Sequence, residues 1–121
     1  MKNHFTKINI KALSVNTAWM GRRFKTEAYK QYERDLLLLL PKMKIPEGKL
    51  LLSIEVGFSS KASDADNICK PLLDILQKSY GFDDKRIYKL EVEKKDVSKG
   101  EEYIAFTIKE LSTLLPDKKE A

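Results

Sequence analysis

The run from Leu50 to Phe58 is the feature that most constrains the fold of this 121-residue chain. It is almost entirely apolar, and Leu52, Ile54 and Val56 occupy alternate positions, which an extended backbone places on one face. A turn signal at residues 46–48, Pro-Glu-Gly, precedes the run directly. The pattern therefore predicts a strand with one face in the protein core.

Two helices are predicted from apolar periodicity and from the signals at their ends. The first covers about residues 27–41, with Thr26 as N-cap and a proline at its end. The second covers about residues 67–80, with Gly81 directly after its C-terminus. Because proline has no N–H, Pro71 is expected in the first turn, no more than four residues after the helix start. The apolar faces of the two helices are expected to carry Tyr29, Tyr32, Leu36, Leu37, Leu39 and Leu40, and Leu72, Leu73, Ile75 and Leu76.

Three further segments alternate apolar and polar residues as half-buried strands do, at 5–10, 87–92 and 103–108. The last two are joined by turn-forming residues at 96–100, which favours a hairpin, and 14–23 is predicted as a loop. The chain is thus expected to be one α+β domain over residues 1–121, with a mixed sheet, the order β-α-β-α-β-β, and a flexible charged tail after about residue 115.

The net charge of +5 is unevenly distributed along the chain. Residues 1–45 contain ten lysines and arginines against three acidic residues, whereas residues 46–121 contain thirteen against fifteen. A basic surface attracts polyanions through phosphate contacts and counterion release. Lysine-rich surfaces also serve solubility alone, so the charge by itself leaves nucleic-acid binding open.

Cysteine content and hydropathy restrict the compartment. The single Cys69 cannot form an internal disulfide, which suits a reducing environment. The longest apolar run, Leu36–Leu40, is far too short to span a membrane, and the residues after Met1 are not those of a signal peptide. A cytoplasmic protein with no membrane partner is expected.

Acidic residues lie between the predicted central strand and the second helix. If the strand geometry continues through residue 66, the spacing of two places Asp64 and Asp66 on one side, where carboxylate oxygens can bind Mg²⁺. Asp83 and Asp84, at the start of the next strand, are a further source of ligands, and Lys70 is placed either to approach a phosphate or to steady a carboxylate. The pattern suits metal-assisted phosphodiester cleavage.

Each acidic residue also has a purely structural interpretation. Asp64 and Asp66 can cap the second helix and complement its dipole. Asp83 and Asp84 follow a glycine, which is ordinary turn chemistry. Spacing alone leaves both interpretations open.

The acidic residues belong to longer motifs. Residues 64–76 read DADNICKPLLDIL, and GFDD follows at 81–84. In the first half of the chain, SVN stands at 14–16 and RRFKT at 22–26, followed by Tyr29 and Tyr32. The first set matches the pattern D-x-D-N-x-x-K-x-x-x-D, followed about ten residues later by D-D, and resembles the RusA family of Holliday junction resolvases. The second set is similar to that family's S-x-N and basic-Thr-Tyr segments.

The resemblance implies a homodimeric endodeoxyribonuclease that makes paired symmetric nicks in four-way DNA junctions during recombination and repair. It implies dependence on Mg²⁺, with Mn²⁺ as a possible substitute. By motif position, Asp64, Asp66 and Asp84 correspond to the family's catalytic, metal-binding aspartates and Lys70 to its active-site lysine, with Asp83 the less favoured member of its pair. Such proteins are often carried by phages and prophages.

The loop before the first helix supplies the predicted DNA contacts. Arg22, Arg23 and Lys25 are the expected phosphate ligands, because they lie in an irregular basic segment, and Asn16 belongs to the family-like S-x-N motif. A solvated basic turn is the structural alternative. Trp19 suits stacking on an unpaired base, core packing or a dimer contact equally, and His4 has no predicted role.

Helix length poses a geometric problem for the acidic site. About 14 helical residues separate Asp64 and Asp84 by roughly 20 Å, whereas three loop residues reach back only about 10 Å. A cluster within one chain needs a bent helix or a long fold-back. The other solution is a dimer in which Asp84 of one subunit completes the site of the other. Two rival functions are a non-catalytic basic DNA-binding protein and a metal-dependent phosphohydrolase of small phosphate esters.

Overall fold

The strand predicted over Leu50–Phe58 is present with these bounds and lies inside a four-stranded sheet. The computed structural model describes residues 5–13, 19–20, 24–60 and 66–111, with the backbone alone at 19–20, 24–25 and 66–67. In chain order the elements are β1 Thr6–Ile8, β2 Trp19–Met20, β3 Phe24–Lys25, α1 Glu27–Leu39, β4 Leu50–Phe58, α2 Asp66–Tyr80, a 3₁₀ helix Asp84–Arg86, β5 Ile87–Asp96 and β6 Tyr103–Glu110. They form a small α+β domain, and the predicted tail after residue 115 lies outside the described residues.

The four main strands form a mixed sheet in the order β1-β6-β4-β5. β4 is parallel to β5 and antiparallel to β6, so Ile54 lies between Val92 on one side and Phe106 on the other. One face of the sheet packs against both helices and forms a single buried cluster. This core contains Leu52, Ile54, Val56, Ile104 and Phe106 from the sheet, Tyr29, Tyr32 and Leu36 from α1, and Leu72, Ile75 and Leu76 from α2.

The predicted hairpin between the last two strands is wrong, because β4 lies between them. Helix α2 carries the chain back along the sheet, so β5 aligns parallel to β4. The chain then crosses the end of β4 before β6 begins on its other side. Gly57 permits this crossing, because a Cβ atom there would lie 2.5 Å from the ring of Tyr103 and 3.0 Å from Val97.

Local signals predicted the start of α1 and the end of α2. The N–H of Tyr29 donates to Thr26 Oγ1 at 3.1 Å, which confirms the N-cap. α1 ends at Leu39, two residues earlier than predicted, because Leu40 precedes a proline and is held in an extended conformation, φ −68° and ψ 129°. Gly81 has φ +70° and its N–H donates to Gln77 O at 2.8 Å, which confirms its place after α2.

Three smaller expectations were wrong. α2 begins at Asp66, five residues before Pro71, so the proline lies just beyond the first turn. Leu37 and Leu39, placed on the buried face of α1, are 38% and 52% exposed. Within the predicted loop 14–23, residues 19–20 pair with 24–25 as a short hairpin, β2-β3, while 14–18 and 21–23 lie outside the described residues.

Candidate active site

The parallel pairing of β4 and β5 fixes the position of both ends of α2. Leu50 aligns with Ile87 and Phe58 aligns with Asp96, so the two strands start and finish at the same levels. α2 connects the end of β4 to the start of β5 and therefore runs back along the sheet. We call the sheet edge at Phe58 the carboxyl edge and the edge at Leu50 the amino edge.

The start of α2 lies toward the carboxyl edge, and Asp66 is its first residue. Residue 66 is helical, so the strand geometry expected to continue through this residue is absent there. Asp64 lies outside the described residues. The first N–H groups of a helix and its dipole stabilise negative charge, so this position suits both capping and an acidic site.

Lys70 lies one helical turn after position 66, on the same face of α2. Its side chain is 66% exposed, and its ammonium lies 3.4 Å from both carboxylate oxygens of Asp74. An exposed ion pair of this kind contributes little to stability, about 0–1 kcal/mol. Lys70 can therefore exchange this partner for a phosphate oxygen at small cost.

Asp83 and Asp84 differ in what their carboxylates do. Asp83 caps the 3₁₀ helix, where its Oδ1 accepts from the N–H of Lys85 at 2.9 Å, and this hydrogen bond holds the pKa of Asp83 below its ordinary value. Asp84 is the first residue of the 3₁₀ helix and is exposed to solvent. Both residues are exposed, but Asp83 uses its carboxylate as the cap of the 3₁₀ helix, whereas Asp84 does not.

Asp66 and Asp84 lie at opposite ends of α2. The helix has 15 residues, which corresponds to a length of roughly 22 Å. The N–H of Asp84 donates to Gln77 Oε1 at 2.9 Å, which fixes Asp84 beside the last turn of α2, toward the amino edge. Among the described residues no group of three His, Cys, Asp or Glu side chains could hold a metal ion.

The two helices run in the same direction. Lys78 Nζ lies 3.0 Å from Glu33 Oε2, and farther along both helices the hydroxyl of Tyr80 donates to Pro41 O at 2.6 Å. Burial raises the pKa of Tyr29 to about 12, with smaller contributions from the nearby carboxylates of Asp74 and Glu33. The pairs Tyr29–Asp74, Glu33–Lys78 and Pro41–Tyr80 thus follow in the same order along both helices. The start of α1 therefore lies toward the carboxyl edge, as the start of α2 does.

The predicted DNA-binding segment directly precedes α1. Lys25 is the last residue of β3 and is followed by the N-cap Thr26, so the chain brings Lys25 to the end of the domain where α2 begins. Arg22, Arg23 and Asn16 lie outside the described residues. Two helix N-termini and a basic segment at one end of the domain favour anion binding there.

Two residues that position Asp84 had no predicted role. Gln77 accepts from the N–H of Asp84 and donates through Nε2 to Leu73 O at 3.2 Å. Arg86 donates to Gly48 O at 3.0 Å and also to Pro46 O, so it ties the 3₁₀ helix to the turn before β4. The only available signal was their proximity in sequence to the Asp83-Asp84 pair, because a contact with residues 46–48 cannot be read from spacing.

No helix in the described part of the chain is long and apolar enough to cross a membrane. His4 lies outside the described residues, and the side chain of Trp19 is not described.

Comparison with known proteins gives one clear match. The family described as endodeoxyribonuclease RusA matches residues 10–108 of the 121-residue chain. The matched region begins after β1 and ends within β6, so it contains both helices and every described residue predicted to act in the site. No curated protein matches the chain.

Proposed function

The chain belongs to the RusA endodeoxyribonuclease family, and from that premise we propose that it is a cytoplasmic, magnesium-dependent enzyme that resolves four-way DNA junctions by paired symmetric nicks. The family match supports nuclease activity, and nucleases of this family generally depend on a divalent metal. One observation carries the proposal to this chain: the acidic start of α2, Lys70 and the segment preceding α1 all lie toward the carboxyl edge.

The acidic residues suit a hard divalent cation. We assign metal binding to Asp64, Asp66 and Asp84, because carboxylate oxygens are the ligands that Mg²⁺ prefers, and Mn²⁺ accepts the same donors. A bound ion of this kind lowers the pKa of an attacking water and neutralises charge on the phosphate oxygens. The exposure of Asp84 leaves its carboxylate accessible to such an ion.

The remaining residues bind and orient DNA. Lys70 Nζ is assigned to stabilise the charge that develops on the scissile phosphate, for which it leaves its exposed pair with Asp74. Arg22, Arg23 and Lys25, together with Asn16, are assigned to phosphate contacts on the flanking strands. Lys25 directly precedes the N-cap of α1 and lies on the same side of the domain as the acidic start of α2.

The separation along α2 supports a site shared between two subunits. Asp66 and Asp84 of one chain lie at opposite ends of a 15-residue helix and cannot ligate the same ion without a large change in fold. A homodimer in which Asp84 of the partner subunit completes the site removes this conflict. Two such sites related by a twofold axis also suit two symmetric cuts across a junction.

Cleavage of synthetic junctions tests the proposal. The purified chain is incubated with a mobile and an immobile four-way junction, with Mg²⁺ or with EDTA, and the products are resolved on a denaturing gel. We expect paired nicks that require the metal, and loss of cleavage by at least a hundredfold in Asp66→Asn. Glu27→Gln is the matched control, because it removes an acidic residue from the first turn of the neighbouring helix, and it should retain wild-type cleavage.

The same assay separates the rival functions. A non-catalytic DNA-binding protein gives salt-sensitive binding of junctions and no cleavage with any divalent ion. A phosphohydrolase turns over small phosphate esters and does not distinguish branched from linear DNA. Either result rejects the proposed function.

A further inference from the structure

Exposed lysines lie at the amino edge of the sheet, where Asp84 is also found. The segment 40–49 connects the end of α1 to β4 and carries three of them, and the 3₁₀ helix carries one directly after Asp84. Residues 40–49 and 82–86 together contain five basic residues against three acidic ones. We call the four exposed lysines of these two stretches the amino-edge basic surface: Lys42, Lys44, Lys49 and Lys85.

Arg86 joins the two stretches that carry these lysines. Its side chain donates to Gly48 O at 3.0 Å and also to Pro46 O, which holds the turn before β4 against the 3₁₀ helix. Because Lys49 directly follows Gly48, this contact fixes Lys49 near Asp84. A phosphate that reaches a metal ion on Asp84 therefore comes close to both stretches.

Packing of the segment 40–49 leaves its first two lysines in solvent. Met43 packs against the core, whereas Lys42 and Lys44 on either side of it are exposed. The hydroxyl of Tyr80 donates to Pro41 O at 2.6 Å, which fixes the start of the segment beside the end of α2. The 3₁₀ helix follows that same end of α2 in the chain, so all four lysines belong to one side of the domain.

The four ammonium groups carry no acidic partner within the described ranges. None of them forms an ion pair with another described residue, although Lys85 attracts the carboxylate of Asp83 from a greater distance and contributes to its lowered pKa. Five other lysines lie within 3.6 Å of a carboxylate oxygen: Lys30, Lys70, Lys78, Lys89 and Lys95. An ammonium without such a partner gives up no ion pair when it contacts a phosphate.

An exposed aromatic ring adjoins these charges. Tyr88, the second residue of β5, is 63% exposed, and Lys49 Nζ lies 4.9 Å from the centroid of its ring. Tyrosine hydroxyls and lysine ammonium groups both contact the sugar–phosphate backbone in protein–DNA complexes. The pair therefore adds a second kind of backbone contact to the surface.

We propose that the amino-edge basic surface binds the phosphate backbone of a duplex arm of the junction, next to the strand that is cut. Contacts of this kind set the affinity and the orientation of the DNA and carry no sequence preference. They add to the contacts assigned to the segment before α1. This surface rests on the proposed function, because the DNA that it holds is the substrate of that site.

The salt dependence of junction binding tests the surface. Binding of a labelled four-way junction is measured by fluorescence anisotropy in EDTA, which prevents cleavage, over a series of salt concentrations. Each lysine that contacts a phosphate adds about 0.9 to the slope of the logarithm of affinity against the logarithm of salt concentration. We expect Lys49→Gln with Lys85→Gln to reduce the slope by about 1.8 and to weaken binding at low salt roughly tenfold or more. Adding Lys42→Gln and Lys44→Gln should reduce the slope further.

Two further variants separate this surface from net charge and from folding. Lys7→Gln with Lys95→Gln removes the same charge from the face of the sheet that the helices do not cover, and should leave the slope unchanged. Lys49→Arg with Lys85→Arg keeps both charges and should retain the wild-type slope.

Photo-cross-linking gives a second measure that does not depend on affinity. Lys44→Cys in a Cys69→Ser background is modified with a thiol-reactive photo-cross-linker, and light should couple it to a duplex arm of the labelled junction. Lys7→Cys in the same background, with the same modification, lies on the uncovered face of the sheet and should give no coupled DNA.

The outcomes separate this surface from the proposed function. An unchanged slope in Lys49→Gln with Lys85→Gln, an equal loss in the Lys7 and Lys95 control, a loss that arginine does not restore, or no coupling at position 44 each reject the surface. If the surface binds DNA as expected but the wild type cuts no junction, the proposed function fails and the surface stands. If junctions are cut while the glutamine variants bind them with the wild-type slope, the function stands and the surface fails.

Discussion

Gly57→Ala tests the packing that holds β6 beside β4. An added Cβ atom lies 2.5 Å from Cε1 of Tyr103, 2.6 Å from its Cδ1 and 3.0 Å from Cγ1 of Val97. The ring cannot move freely, because its hydroxyl donates to Glu55 and the ammonium of Lys7 lies 4.5 Å from its centroid. The substitution therefore forces the crossing segment away from the end of β4.

The expected cost combines two opposing effects. Overpacking a filled site costs about 1–3 kcal/mol. Alanine also restricts the unfolded chain more than glycine does, which offsets about 0.4–1 kcal/mol of that cost. We expect the free energy of unfolding to fall by about 1–2 kcal/mol, which lowers the melting temperature by roughly 5 °C in a domain of this size.

Urea unfolding of Gly57→Ala, Tyr103→Ala and the double variant measures the coupling. Removing the ring leaves only the contact with Val97, so alanine at position 57 should cost at least about 1 kcal/mol less in the Tyr103→Ala background. A cost that is the same in both backgrounds, or no cost in the wild type, refutes the close approach of β6 to Gly57.

Three further changes follow from single contacts. Thr26→Ala removes the acceptor for the N–H of Tyr29 and should lower the free energy of unfolding by about 1 kcal/mol in urea, with Thr26→Ser close to wild type. Gly81→Ala should cost about 1 kcal/mol in the same assay, because φ is +70° there, and Gly81→Asn should cost less. Burial raises the pKa of Tyr29 to about 12 from an ordinary value of 10.0. The stability that the neutral Tyr29 side chain contributes is therefore fully present below pH 10 and is lost as the pH rises toward 12. Tyr29→Phe should reduce the alkaline loss of stability, and an unchanged profile of stability against pH contradicts this assignment.

Element types and ends were predictable because their causes are local. The apolar alternation of Leu50–Phe58, the hydroxyl of Thr26 and the missing side chain of Gly81 each act within a few residues, and the structure confirms all three. α1 ends two residues before its predicted end because the proline after Leu40 restricts Leu40 to an extended conformation.

Strand pairing was not predictable in the same way. The alternation in residues 87–92 and 103–108 identifies strands but does not identify their neighbours, and strands close in sequence usually pair. Here Gly57 lets the chain cross the end of β4, and this contact joins residues 46 positions apart. A glycine inside an apolar strand is itself a signal of close approach by another segment.

The motif predicted the family, which the comparison confirms, whereas the assignment of Asp66, Lys70 and Asp84 to the site stays a prediction. Helix length alone indicated that Asp66 and Asp84 are far apart in one chain, and the structure confirms that they lie at opposite ends of α2. The contact between Gln77 and Asp84, which fixes the position of the 3₁₀ helix, could not be predicted from spacing.

Defined mixed dimers test most directly whether Asp66 and Asp84 of different subunits form one junction-cutting site. Chains with different affinity tags are co-expressed, and heterodimers are purified and assayed for Mg²⁺-dependent nicking of a four-way junction. In the heterodimer of Asp66→Asn with Asp84→Asn, a shared site leaves one centre intact, so we expect nicking of one strand although both parent homodimers are inactive. The heterodimer of the wild type with the chain carrying both substitutions should be inactive. An inactive first heterodimer and an active second one would contradict the shared site, because that pattern requires Asp66 and Asp84 of the same chain.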